Sequence, residues 1–231
     1  MSEASPHFSE TREFDFADRD FRRVCELIHQ RVGIALAPAK RDMVYGRLSR
    51  RLRALGLQSF QDYLDRLERE GGDEWQAFTN ALTTNLTSFF REPHHFERLR
   101  QELPALQQGN GTVQLWSCAA STGEEPYSMK RRYFQRGTGP NAGKCRVLPA
   151  LQKLITFQPL NLLNPRYDVG GPYSALFCRN VMIYFDKPTQ RAILSRLVGH
   201  MADDGMLYTG HSENYLHAAD LITPCGRTLY R

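Results

Sequence analysis

From Asp18 to Leu106 the apolar positions recur at three- and four-residue spacing, which predicts helix throughout. In "DFRRVCELIHQRVG", Phe21, Val24, Leu27 and Ile28 share a face, and Gly33 offers a stop. "KRDMVYGRLSRRLRALG" repeats the pattern with Val44, Leu48, Leu52 and Leu55 and stops at Gly56. "SFQDYLDRLERE" starts on a capping serine, Ser59, and "DEWQAFTNALTTNLTSFFRE" follows it. "PHHFERLRQELPAL" opens with Pro93 at a helix start, where the missing N–H is harmless. After "QQGNG" the pattern changes to short apolar runs bounded by turn residues: "TVQLWSC", "KLITFQPL", "SALFC" and "GMLYTG". A helical stretch, "KPTQRAILSRLVGHMAD", separates the last two, and this alternation predicts an α/β domain with a mostly parallel sheet. The expected organisation is a flexible tail over 1–17, a helical N-terminal domain over 18–106, and an α/β domain over 111–231.

Composition narrows this only a little. With 231 residues, 41% hydrophobic and 24% charged, the chain reads as an ordinary soluble globular protein. No apolar run approaches the roughly 18 residues of a membrane span, and the polar, acidic start is unlike a secretory signal. Cys25, Cys118, Cys145, Cys178 and Cys225 are scattered without a C-x-x-C pair, as expected of reduced thiols in a cytoplasmic protein. The net charge of +5 matters mainly through its placement. Lys40, Arg47, Arg50 and Arg51 fall on one side of the second helix, roughly opposite its apolar stripe. That side is either a solvated face or a dock for an acidic partner, nucleic-acid phosphate or a glutamate-rich protein surface. Aromatic interleaving is confined to Tyr45, which tilts the balance toward protein and away from nucleic acid. His94 and His95 are adjacent, so they should point apart on a helix, and no metal site is expected.

The stretch "LWSCAASTGEEPYSM" couples a strand to a helix through a loop of small residues. Ser121 with Glu124, and Thr122 with Glu125, each fit a capping box. Two glutamates in a first helical turn would repel phosphate, and neither a P-loop nor a G-x-G-x-x-G pattern is present. The turn suits a cationic or polyhydroxyl ligand such as S-adenosylmethionine, or else it is a well-capped helix with no ligand.

Four stretches, "ALTTNLTSFFREPHHFE", "LWSCAASTGEEPYSM", "LFCRNVMIYFDKPTQ" and "GMLYTGHSEN", together resemble the bacterial chemotaxis receptor methyltransferases of the CheR family, in the family's order. The resemblance runs from about Phe21 to Tyr230. It implies a Rossmann-like S-adenosylmethionine-dependent methyltransferase domain with a small antiparallel β-subdomain, inserted at about 133–160, behind an all-helical N-terminal domain. It implies methylation of glutamate side chains on chemoreceptor cytoplasmic helices, without direct membrane insertion. Arg91 and Tyr184 match the positions that orient the substrate carboxylate and approach the transferring methyl. Asn85, Thr87, Arg91, Glu125, Asn161, Leu162, Arg179 and Asn180 match the family's cofactor contacts. The second helix looks like the family's receptor-facing helix, which assigns docking to Lys40, Arg47, Arg50, Arg51 and Arg53. "RGTGPNAGKCRVL" followed by "KLITFQPL" resembles the β-subdomain that in some members grips a receptor's C-terminal tether peptide; an ordinary hairpin is the alternative. His211 in "GHSEN" reads as a structural turn residue.

One element is missing from the pattern. A doubly wound nucleotide site follows its first helix with a second strand ending in an acid for the ribose hydroxyls. From Pro126 to Tyr167 this chain has no Asp or Glu, and the 42 residues carry eight Lys or Arg. Against the family pattern, roughly 45–50 residues of the doubly wound unit are absent after Met129. Either a normal enzyme's segment is missing from this sequence or the chain is a deletion variant. The second case would leave a receptor-docking module with impaired catalysis.

Overall fold

The spacing of the first third becomes four helices: α1 (Asp18–Val32), α2 (Arg41–Leu55), α3 (Phe60–Glu70) and α4 (Gly72–Leu82). The computed structural model describes residues 12–84, 86–110, 113–129, 134–136, 138–142 and 145–231, and divides the chain into two units between Thr84 and Asn85. In the first unit the predicted stripes are the core: Val24, Ile28, Val44, Leu48 and Leu52 are buried with Phe60, Tyr63, Leu64 and Phe78. Gly33 and Gly56 end α1 and α2 in left-handed conformation, and Ser59 caps α3 by accepting from the Asp62 backbone N–H at 3.1 Å. The expected tail is shorter than 1–17, because Phe14 and Phe16 are buried and the Phe16 ring lies 4.4 Å from that of Phe60.

The basic side of α2 is less open than its spacing implied. Arg47 donates to the carbonyls of Ala81 (3.2 Å) and Thr83 (2.9 Å) and to Thr84 Oγ1 (3.0 Å), placing its charge at the C-terminal end of α4. Arg51 makes a two-point pair with Glu74, whose other donor is the Tyr63 hydroxyl at 2.9 Å. These two residues stabilise the helical unit itself. Lys40, Arg50 and Arg53 are exposed, with Arg53 3.1 Å from Glu13. Arg47→Ala should destabilise the unit by about 1–2 kcal/mol, the scale of hydrogen bonds made by a charged group, read as a lower urea midpoint. Arg50→Ala should leave that midpoint unchanged.

The second unit begins earlier than the expected boundary at residues 107–111. Helix α5 (His94–Asn110) belongs to it, because Leu99 packs in a cluster with the sheet residues Ala175, Phe177, Met206 and Tyr208. Residues 83–84 and 86–93 are not helical, contrary to the continuous pattern read from Asp18 to Leu106. The strands β1 (Leu115–Ser117), β4 (Tyr173–Cys178) and β5 (Met201–Thr209) are parallel neighbours. β7 (Leu229–Tyr230) and β6 (Pro224–Gly226) add antiparallel strands, giving the order β1-β4-β5-β7-β6. The period of two in β4 sorts its side chains. Ala175 and Phe177 face α5, whereas Leu176 and Cys178 join Ile193, Leu194 and Leu197 of α8 (Lys187–Val198). The predicted helix over 187–203 ends at Val198 because Met201–Thr209 pairs with β4.

The short helix α6 (Glu124–Ser128) follows β1. Farther on, β2 (Phe134–Arg136) and β3 (Cys145–Val147) pair antiparallel as a two-stranded sheet, followed by α7 (Pro149–Gln152). "KLITFQPL" supplies no strand and is irregular after α7. Beyond β1 no further strand pairs among the described residues, so β1 is a sheet edge where the doubly wound pattern would continue.

Candidate functional site

Parallel strands present their C-terminal ends to ligands, and here four non-glycine residues with positive φ gather in the segments at those ends: Phe90 (58°), Glu92 (55°), Ser121 (51°) and Asn180 (59°). Left-handed backbone costs a side-chain-bearing residue roughly 1–2 kcal/mol, so tertiary contacts must hold each of them. The contacts centre on Arg179, just after β4. Its guanidinium is nearly inaccessible (2% of the side chain exposed) and meets Glu125 Oε2 at 2.8 Å, with Glu92 Oε2 at 3.7 Å. It also donates to the Arg91 carbonyl and stands 5.6 Å from the Phe96 ring centre. Ser117 Oγ donates to Glu125 Oε1 at 2.7 Å, tying β1 to α6.

One guanidinium faces two carboxylates. Burial pushes the Glu125 carboxyl above its usual range, with Arg179 and Ser117 opposing it. For Glu92, burial also disfavours the ionised form, but the hydrogen bond from His211 and the Arg179 charge hold it below its usual range. Glu213 supports the same edge from the loop after β5: its carboxylate accepts from the backbone N–H groups of Gly210 (2.6 Å), Met182 (2.9 Å) and Val181 (3.1 Å). A Cβ at Gly210 would overlap the Asn180 side chain, so the crossing of these two loops requires glycine there.

A cavity of 320 Å³ opens beside the cluster, walled by Trp116, Phe157, Leu160 and Val169, with Ser117, Cys118 and Ser121 on its polar side. Its apolar and aromatic walls fit a flat base. Among the described residues no acid stands at the β1 edge for a ribose diol.

The predicted site residues divide accordingly. Glu125 meets Arg179, Arg179 reaches the Arg91 backbone carbonyl, and Asn180 joins through Glu92. Arg91 Nη1 donates to the Leu86 carbonyl at 2.8 Å. Glu125 does not face an open site, because Arg179 and Ser117 engage it. Asn161 is exposed and its Oδ1 accepts from the Leu163 N–H, whereas the Leu162 side chain is core and its carbonyl accepts from Tyr167 and Arg196. Thr87 and Tyr184 are half-buried, and Asn85 lies outside the described residues. Neither capping box forms: Gly123, at φ 100°, is the N-cap of α6, and Thr122 Oγ1 donates to Glu124 Oε2 instead.

The histidines also depart from expectation. His211 is not a bare turn residue, since its Nδ1 donates to Glu92 Oε1 at 3.0 Å. His94 and His95 do not point apart, because both Nε2 atoms converge on Thr228 Oγ1 (3.3 and 2.6 Å) and the rings lie 4.1 Å apart. One donor atom each from Glu92, His94 and His95 lies within 4.8 Å of the others. The Arg179 cation 3.7 Å from the Glu92 oxygen works against a metal ion there. Glu92, Ser117, His211 and Glu213 were missed by sequence reasoning; the acid directly after Arg91 and the acid in "GHSEN" were the available signals.

Residues 19–83 match the family model described as CheR methyltransferase, all-alpha domain, and residues 85–130 and 129–230 match that described as CheR methyltransferase, SAM binding domain. The chain is 42% identical to chemotaxis protein methyltransferase 2 of Pseudomonas aeruginosa, covering 99% of this chain and 98% of that one. It is 44% identical to the chemotaxis protein methyltransferases of Salmonella typhimurium (95% and 92% covered) and Escherichia coli (95% and 93%). The first alignment spans 276 positions against the chain's 231 residues, so at least 45 positions fall opposite gaps in this chain. The two matches to the second domain meet at residues 129–130, at the break expected after Met129. Among the described residues no helix is long and apolar enough to cross a membrane.

Proposed function

The chain belongs to the CheR methyltransferase family, with S-adenosylmethionine as cofactor, and from that premise we propose that its acceptor is a glutamate side chain on a chemoreceptor cytoplasmic helix. When bound, the cofactor supplies a methyl group on a sulfonium, an electrophile that a carboxylate oxygen can take in line. A glutamate side chain, which ordinarily titrates near about pH 4.3, is ionised at neutral pH and needs no general base. What the protein must contribute is placement, which can supply about 7–11 kcal/mol of a barrier.

The observation that carries this reading is Arg91. It sits between two positive-φ residues beside the Arg179–Glu125 pair, and its guanidinium can steer an anionic acceptor. Tyr184, half-buried in the turn after β4, is the second residue assigned to the reacting end. Thr87, Glu125, Arg179 and Asn180, with Asn85, Asn161 and the Leu162 backbone, are assigned to the cofactor. Lys40, Arg50 and Arg53 remain for docking an acidic receptor surface, and the β2–β3 sheet offers edges to which a tether peptide could add as a strand. With receptor cytoplasmic helices as its substrate, the enzyme works in the cytoplasm.

The test is transfer of labelled methyl from S-adenosylmethionine to receptor-containing membranes by the mass-verified 231-residue chain. The label should be released as methanol by mild base, as from an ester. Arg91→Ala should lower kcat about 100-fold, the scale of losing one aligned donor. Label resistant to base would overturn the glutamate reading. Receptor binding without transfer, together with absent S-adenosylhomocysteine binding in calorimetry, would favour a docking module instead.

A further inference from the structure

Methylation of an ionised carboxylate removes no proton, so the His211–Glu92 pair has no acid–base work in the reaction proposed above. Yet Glu92 is tied to three parts of the site. Its Oε1 accepts from His211 Nδ1 at 3.0 Å and lies 3.4 Å from the His211 backbone nitrogen and 3.4 Å from Asn180 Nδ2. Its Oε2 is buried without a hydrogen-bond partner, 3.7 Å from Arg179 and 3.7 Å from His95. These partners stand at the ends of β4 and β5 and in α5.

The backbone around Glu92 explains why such ties are needed. Phe90 and Glu92 flank Arg91, and both hold left-handed φ, which neither residue type prefers. Three contacts offset that cost: the Phe90 N–H donates to Ser128 Oγ at 2.8 Å, Arg179 donates to the Arg91 carbonyl, and Glu92 takes the His211 and Asn180 donors. Only the last of these depends on the Glu92 side chain, and it joins the turn to both strand ends.

We propose that Glu92 is a positioning residue for methyl transfer: its carboxylate fastens the turn carrying Arg91 to the ends of β4 and β5, and thereby sets where the Arg91 guanidinium stands. The role in catalysis rests on the acceptor reading above; the fastening itself does not. Two variants of the full chain test it. Glu92→Gln keeps the shape and removes the charge. His211→Ala removes the principal donor from a side chain that is 57% exposed, without opening the core.

Glu92→Gln should lower kcat at least tenfold, with KM for receptor and Kd for S-adenosylhomocysteine within threefold of the parent. His211→Ala should lower kcat about threefold, and the double variant should be no worse than Glu92→Gln, since both act through one contact. Hydrogen exchange at the Phe90 and Arg91 amides should quicken at least tenfold in Glu92→Gln, with the α8 amides unchanged. Exchange needs neither receptor nor cofactor, so it reports on the fastening even if the acceptor reading fails. Unchanged exchange would overturn the proposal, and so would faster exchange with kcat within twofold of an active parent. If Glu92→Gln does not fold, the same two readings on His211→Ala decide.

Discussion

Arg179→Met is expected to lower the thermal midpoint of the second unit by roughly 10 °C and to abolish methyl transfer. The guanidinium is 2% exposed and meets two carboxylates that are themselves about nine-tenths buried. Solvent therefore screens this cluster little. Removing one partner of such a pair costs about 3–5 kcal/mol, because the other charge is left buried and unpaired. For chains of this size each kcal/mol moves a midpoint by roughly 2–4 °C. The loss should also depend on pH with a definite sign. Burial already holds Glu125 above its usual range, and without Arg179 it rises further. A carboxyl whose folded pKa exceeds its unfolded value stabilises below the unfolded pKa and loses that contribution as pH rises through the folded one. The variant's deficit should therefore be larger at pH 8 than at pH 5. A pH-independent deficit below about 1 kcal/mol would contradict the central role given to this cluster.

The second large effect belongs to His95. Its side chain is fully buried, and burial, the Arg179 charge and His94 push its pKa down to about 3, with Glu92 opposing. In the unfolded chain an imidazole takes up a proton near pH 6.5. The folded state does not, so stability is fully present above that pH and falls as pH drops toward 3. The expected slope is about 1.4 kcal/mol per unit, amounting to about 2 kcal/mol at pH 5. Glu125 and Glu213, both raised by burial, act in the opposite direction as they begin to protonate. The decisive measurement is a comparison of urea midpoints from pH 7.5 to 5.0 for the wild type and His95→Gln. The variant should lose roughly one proton's worth of slope; parallel curves would show that His95 is not held neutral.

How much of this was legible beforehand differs by element. The helices of the first unit follow from apolar spacing because each buries one stripe, and spacing is the property that burial selects. "SALFC" and "GMLYTG" were readable as strands for a similar reason: short apolar runs bounded by turn residues suit buried parallel strands. "KLITFQPL" carries the same composition but no strand, because no neighbour pairs with it among the described residues. Arg47 looked like an exposed docking charge, since helical spacing does not show that the α4 carbonyls lie within its reach. The S/T-x-x-E spacings at Ser121 and Thr122 failed as caps because Ser121 and Gly123 take left-handed backbone, a loop geometry that spacing does not encode.

By itself the sequence determined the family, the cofactor class, the strand–loop–helix turn at Glu125 and the break after Met129. Each is carried by local motifs or by the count of acids along the chain. Tertiary structure alone decided which charges are internal, that His94 and His95 meet at Thr228, and that Glu92 and His211 join across 119 residues of sequence. The physical reason is that a partner distant in sequence leaves no periodicity to read. Its energy lies in desolvated contacts that exist only once the sheet has brought the strand ends together.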